Sequence, residues 1–129
     1  HTINIKDPEF GDINSGYDYV TPILELGAHV APTGIAFYNN HPHFPKEFHN
    51  NLFITLHGSW NRSEKVGYKV LRVTLNQAGE VINSKDFITG WLEEQRVLGR
   101  PSAPLVISDG SLLISDDKAN AIYRISYTQ

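Results

Sequence analysis

From residue 34 onward, short apolar runs alternate with turn-forming residues, and helical periodicity is nearly absent. The runs cover residues 34–38, 52–56, 68–75, 81–88, 105–107, 112–115 and 121–127. Residues 76–79 and the pair Asp109, Gly110 supply tight-turn chemistry between neighbouring runs. These features predict an antiparallel, all-β fold. Residues 91–98 read as one helical turn that lacks a capping residue. Residues 1–22 mix polar residues with Gly11, Gly16, Pro8 and Pro22 and read as a long loop or extended arm.

An internal repeat sharpens the expected architecture. Asn51-Leu52-Phe53-Ile54-Thr55 matches Ser111-Leu112-Leu113-Ile114-Ser115, and Val70-Leu71-Arg72-Val73 matches Ile122-Tyr123-Arg124-Ile125. A further apolar run precedes each copy, so each unit reads as strands A, B and C, and the first adds a strand D at 81–88. Four-stranded antiparallel units at such a period are the signature of β-propeller blades. The expected fold is therefore all-β, about two four-stranded antiparallel blades of a β-propeller. The corresponding division is an arm over 1–22, a blade over 23–98 with a long B–C loop, and strands of the following, C-terminal blade over 99–129. Two blades cannot close a ring, and each buries its faces against neighbours. The expected partners are the remaining blades of a parent chain or identical chains, and a chain opening on His1 rather than Met fits a fragment.

Composition narrows the function. The chain has 129 residues, 40% of them hydrophobic and 11% aromatic, which argues against intrinsic disorder. The formal net charge of -3 gives no broad basic surface, so nucleic acid and anionic membranes are excluded as expected partners. No apolar run reaches membrane-span length, and no secretory signal opens the chain. With no cysteine, disulfides and thiolate metal sites are excluded.

The two copies differ most between strands B and C. Ile54 to Arg72 is 18 positions, whereas Ile114 to Arg124 is 10, so the first copy carries an eight-residue insertion within 56–67. That loop reads His57-Gly58-Ser59-Trp60-Asn61-Arg62-Ser63. Loops on a rigid scaffold commonly carry binding function. Alternatively Trp60 packs down over the core as a plug, which is its favoured reading. In an antiparallel meander the start of strand A and the end of strand B share one edge. One face should therefore collect His29, His57, Trp60, Asn61, Arg62, Arg100 and residues 116–118. Arg and His donors beside an aromatic platform suit a planar, anionic ligand.

A family resemblance rests on an ordered series of motifs. These are His29-Val30-Ala31-Pro32-Thr33-Gly34-Ile35-Ala36-Phe37-Tyr38, His57-Gly58-Ser59-Trp60-Asn61-Arg62-Ser63, Gly67-Tyr68-Lys69-Val70 and Asp86-Phe87-Ile88-Thr89-Gly90-Trp91. Gly99-Arg100-Pro101, Asp109-Gly110-Ser111-Leu112, Ser115-Asp116-Asp117 and Ile122-Tyr123-Arg124 follow. Over roughly 23–127 the succession resembles the C-terminal part of the glucose/sorbosone dehydrogenase family, six-bladed propellers that use pyrroloquinoline quinone (PQQ).

The resemblance implies a quinoprotein dehydrogenase acting on a sugar-type small molecule, with calcium commonly polarising the quinone in the complete protein. It implies a periplasmic or secreted location. Arg100 becomes the first candidate for a cofactor carboxylate contact, Arg62 and His57 the second, and His29 the third. The family's catalytic His and most calcium ligands belong to earlier blades. The catalytic base is thus not assigned here, no metal ligand is expected, and the chain alone is expected to be inactive. Ser102-Ala103-Pro104 also departs from the aliphatic residue and Asp that usually follow Gly-Arg-Pro, and Pro104 removes a backbone donor.

Other candidates have plainer readings. His29 could touch a ligand or could position its loop as a hydrogen-bonded histidine. Arg62 could equally be a solvated loop residue. Lys69 fits an exposed strand face. His41, His43 and His49 lie among Pro and Asn residues and read as a surface loop rather than a zinc site. Asp116 and Asp117 could chelate calcium, but the short B–C turn favours Asx chemistry. The sequon Asn61-Arg62-Ser63 is discounted as a pattern that recurs by chance.

Overall fold

The computed structural model describes residues 7–11, 16–18, 20–39 and 41–128. Two antiparallel sheets dominate it. The first pairs β1 (Pro32–Tyr38), β2 (Asn51–Leu56), β3 (Lys69–Leu75) and β4 (Val81–Ile88) in sequence order. A hairpin of β5 (Leu92–Glu93) and β6 (Arg96–Val97) follows, and then a three-stranded sheet of β7 (Pro101–Val106), β8 (Leu112–Asp116) and β9 (Ala121–Ile125). The only helical element among the described residues is a 3-10 turn over Lys46–Phe48. The fold is all-β, with two blade-like meanders. The expected arm is described only at 7–11, 16–18 and 20–22, where Gly11 N–H closes a turn on the Asp7 carbonyl at 2.9 Å.

Strand register reproduces the repeat residue for residue. Phe53 faces Arg72 and Leu52 faces Val73, while Leu113 faces Arg124 and Leu112 faces Ile125. The inner strands correspond as well, because Pro32 faces Leu56 and Pro101 faces Asp116, each followed by a register shift. The strand-C arginines also share a bond. Arg72 Nε donates to Asn51 Oδ1 at 2.7 Å and Arg124 Nε to Ser111 Oγ at 3.1 Å.

Two elements differ from expectation. Residues 91–98 form the β5–β6 hairpin and not a helical turn. Glu94 and Gln95 both have positive φ, which gives the two-residue turn whose twist matches a hairpin. Strand β7 begins at Pro101, four residues before the apolar run that signalled it. Its two prolines are tolerated because β7 is an edge strand with an irregular register between Pro101 and Pro104.

The core forms because β2 is apolar on both faces. Phe53 points toward the second sheet, where Tyr38, Tyr68, Val70, Trp91, Leu112 and Ile114 form a single buried cluster. Leu52, Ile54 and Leu56 point the other way, covered in part by Leu24, Leu26 and Val30. The inner strands touch at Gly34, where a Cβ would lie 2.9 Å from the Ala103 Cα. Thr33 and Thr55 hydroxyls both donate to the Ser102 carbonyl, at 2.7 and 2.8 Å, and so tie β1 and β2 to β7.

Candidate functional site

The end of the sheets where strand A begins and strand B ends carries the chemistry. In the first sheet, His57 N–H donates to the Ala31 carbonyl at 2.9 Å and Gly58 N–H to the Val30 carbonyl at 3.0 Å. In the second, the Arg100 N–H donates to Asp116 Oδ1 at 2.8 Å. His57 follows Leu56 and Asp117 follows Asp116, so the two occupy equivalent positions in the two sheets. Their side chains meet, with His57 Nε2 at 3.0 and 3.1 Å from the two Asp117 carboxylate oxygens.

Arg100 completes the cluster from below. Its Nη2 donates to the Ser59 carbonyl at 2.8 Å and to the Tyr68 hydroxyl at 3.2 Å, and its Nη1 lies 3.4 Å from His57 Nδ1. The guanidinium carbon sits 5.4 Å from the centre of the Tyr68 ring. Tyr68 is buried, and its hydroxyl donates to the Ser59 carbonyl. Ser59 and Val66 exchange two further bonds that close the base of the long loop. Lys65 N–H donates to Gln95 Oε1 at 2.6 Å, which pins the loop to the β5–β6 hairpin.

The carboxylates are held ionised by their partners. The His57 hydrogen bond lowers the Asp117 carboxyl below its ordinary value. Burial alone would raise the Asp116 carboxyl, but bonds from the Arg100, Ala119 and Lys118 amides and the Tyr123 hydroxyl outweigh it and hold the group low. A lowered folded value means that the stabilisation is complete well above the unfolded value. It is lost as pH falls through about 4 and then through the folded value. Asp116→Asn is therefore expected to flatten the acid side of the stability profile. Urea midpoints across acidic pH check this, and equal slopes for both proteins would refute it.

The expected site residues divide. Arg100 and His57 come together from different sheets. Arg62 is exposed and makes no polar contact with the described residues. His29 is exposed, with φ +64°, and lines a hollow with Leu24, Glu25 and Leu26 that does not include Arg100. Trp60 corrects the plug reading, since it is 85% exposed at the loop tip. The loop is held by Ser59, Tyr68 and Gly58, and the tryptophan is left to solvent. Lys69 is half-buried and pairs with Asp86 across β3 and β4 at 2.8 Å.

Asp116 performs the expected turn chemistry, accepting from the Lys118 and Ala119 amides at 3.0 and 2.8 Å. Asp117, expected on this face as a turn residue, instead pairs with His57, a contact that the repeat alignment equating the two positions would have suggested. His41 Nε2 bonds the Ser108 carbonyl at 2.8 Å and His49 Nε2 the His41 carbonyl at 3.0 Å. Among the described residues no group of three His, Asp or Glu side chains could hold a metal ion. No helix among them is long and apolar enough to cross a membrane.

Paired meanders with inner strands in contact define a propeller-like chain, with a polar cluster shared between the sheets at the A-start edge. The family follows from the match of residues 5–128 to the TrAA12-like family model, and the chain belongs to that family. It is 45% identical over 111 residues to an uncharacterized protein of Borreliella burgdorferi, covering 84% of this chain and 29% of that one.

Among solved structures it is similar to the holo form of the pyranose dehydrogenase PQQ domain from Coprinopsis cinerea. That likeness has TM-score 0.64 and 27% identity, covering 84% of this chain and 29% of the other. The calcium structure of a Trichoderma reesei family AA12 carbohydrate-active enzyme shares the fold, with TM-score 0.65 and 24% identity over 83% of this chain and 27% of that one. The chain thus spans under a third of the length of these relatives. The motif-based resemblance holds at the coarser level, that of PQQ sugar dehydrogenase-like proteins, and the family that the match identifies is the TrAA12-like one.

Proposed function

We propose that the two sheets are blades of a six-bladed PQQ-dependent sugar dehydrogenase of the glucose/sorbosone type, in which the His57–Arg100 cluster forms part of the cofactor-pocket wall. The observation that carries this reading is the convergence of a guanidinium and an imidazole from separate sheets, 3.4 Å apart, on one edge. The donor set fits an anionic quinone. His57 offers a ring N–H, Arg100 a positive charge, and Arg62 and the free Trp60 ring lie on the same loop. Bound there, the quinone would supply the electron acceptor for a sugar hydroxyl carbon. The cluster would orient it, His57 with its ring N–H and Arg100 with its positive charge behind that ring, while the proton-abstracting base and any calcium ligands would come from other blades.

The open apolar faces support a larger ring. Ile23, Leu24, Leu26, Ile35, Leu52 and Ile54 line an exposed hollow on the outer side of the first sheet. Leu105 and Ile122 are exposed on the second. Neighbouring blades of the complete protein would cover both, and secretion or a periplasmic location suits such an enzyme.

The test is PQQ titration of the complete protein, followed by dye reduction with aldoses. His57→Ala and Arg100→Ala are each expected to weaken PQQ binding about ten-fold or more, about 1.4 kcal/mol. Unchanged affinity in both variants would remove this cluster from the cofactor pocket.

A further inference from the structure

A guanidinium has five N–H donors and no acceptor, and it grips a carboxylate through two donors on one edge. Both terminal nitrogens of Arg100 are engaged inside the protein: one Nη2 N–H is shared between the Ser59 carbonyl and the Tyr68 hydroxyl, which bond each other, and Nη1 faces His57. These contacts fix the orientation of the guanidinium relative to the imidazole. The third contact goes to His57 Nδ1, and a ring nitrogen facing a group that only donates must be the acceptor. That leaves the hydrogen on Nε2, aimed at Asp117. The His57 side chain is 17% exposed and that of Asp117 is 63% exposed, so the ring is mostly enclosed and its anionic partner is open to solvent.

We infer that Arg100 is a positioning residue, which fixes His57 as the Nε2–H tautomer, and that this N–H is the donor presented to an anionic ligand, with Asp117 its occupant until the ligand takes its place. The ligand class, a planar carboxylate-bearing quinone, rests on the function proposed above; the tautomer assignment does not. Asp117 is the competing acceptor at Nε2, and its charge also opposes an incoming anion. The cluster is built by the pseudo-repeat, because the equivalent B–C positions of adjacent sheets hold a donor in one and an acceptor in the other.

Long-range proton–nitrogen correlation on the His57 ring of the complete protein tests the first half, with His57→Gln identifying the signals. The wild type should show a pyrrole-type Nε2 and a pyridine-type Nδ1. Arg100→Met should mix the tautomers, and Arg100→Lys, which restores one donor, should largely recover the wild-type pattern. A dominant Nδ1–H form in the wild type would overturn the assignment.

Titration with PQQ tests the second half. If Arg100 acts through His57, the His57→Ala, Arg100→Met double variant should bind within about two-fold of His57→Ala alone. Multiplied losses would make Arg100 a direct contact and overturn the inference. Asp117→Ala should tighten PQQ binding several-fold, whereas unchanged or weaker binding would overturn its role as occupant. Failure of the wild type to bind PQQ would defeat the proposed function, while the ring signals would still decide the role of Arg100.

Discussion

Gly58→Ala is expected to cost about 3 kcal/mol and to dismantle the candidate site, because two independent penalties meet at that position. Gly58 has φ +96°, a conformation that a Cβ makes unfavourable, and the added carbon would lie 2.5 Å from three atoms of the Tyr68 ring. Tyr68 is buried and cannot swing into solvent. Relief requires the ring to leave the Ser59 carbonyl and the Arg100 guanidinium, which frees the arginine from the contacts that aim it at His57. Urea denaturation measures the stability loss, and PQQ titration of the folded fraction measures the loss at the site. A variant with wild-type stability would show that the loop base relaxes without strain, and the account of how Tyr68 supports Arg100 would be wrong.

The second large effect lies at the opposite end of the first sheet. Arg72 is only 6% exposed and joins β3 to the 3-10 turn. It bonds Asn51 Oδ1 and the Glu47 carbonyl, and its guanidinium carbon sits 3.9 Å over the Phe48 ring. Arg72→Ala leaves the Asn51 side chain, to which Thr74 also donates, short of a buried partner and removes the stacked cation. The expected loss is about 3 kcal/mol, measured as a fall in the urea midpoint. Ligand affinity of the folded fraction should stay unchanged, since Asn51 and Thr74 pair at the far end of the strands from His57. A loss below about 1 kcal/mol would mean that water replaces the guanidinium at little cost.

The contrast between these arginines shows where reading the chain succeeds. Arg72 and Arg124 were placed correctly by the internal repeat, because a strand has period two and a register shared by two copies fixes which side chains face one another. The same periodicity located β1 to β4 within a few residues. It placed the start of β7 four residues late, where Pro101 and Pro104 suppress the strand signal, and failed at the β5–β6 hairpin, whose two-residue strands are too short to display any period.

Of the site, Arg100 and His57 were legible from topology, since a meander brings strand-A starts and strand-B ends to one edge. The fate of Trp60 was not, because whether a loop tryptophan packs or projects depends on how the loop base is closed. Here Ser59, Val66 and Tyr68 close it and leave Trp60 outside. His29 and Arg62 share the edge with His57 but not its contacts, which sequence position alone could not distinguish.

The sequence by itself determined an all-β chain, two copies of one blade, the longer B–C loop of the first copy and the edge on which charged residues gather. These follow from local rules: alternation, turn chemistry and repetition act over a few residues. Only the tertiary structure decided that Asp117 holds His57, that Tyr68 and Ser59 engage the guanidinium of Arg100, and that Arg62 is exposed with no polar partner among the described residues. Those facts depend on how segments distant along the chain settle against each other, since Arg100 is 43 positions from His57, 41 from Ser59 and 32 from Tyr68. Hydrogen bonds across such a gap are fixed by side-chain packing over the buried cluster around Phe53 and Leu112 and not by any pattern in neighbouring residues.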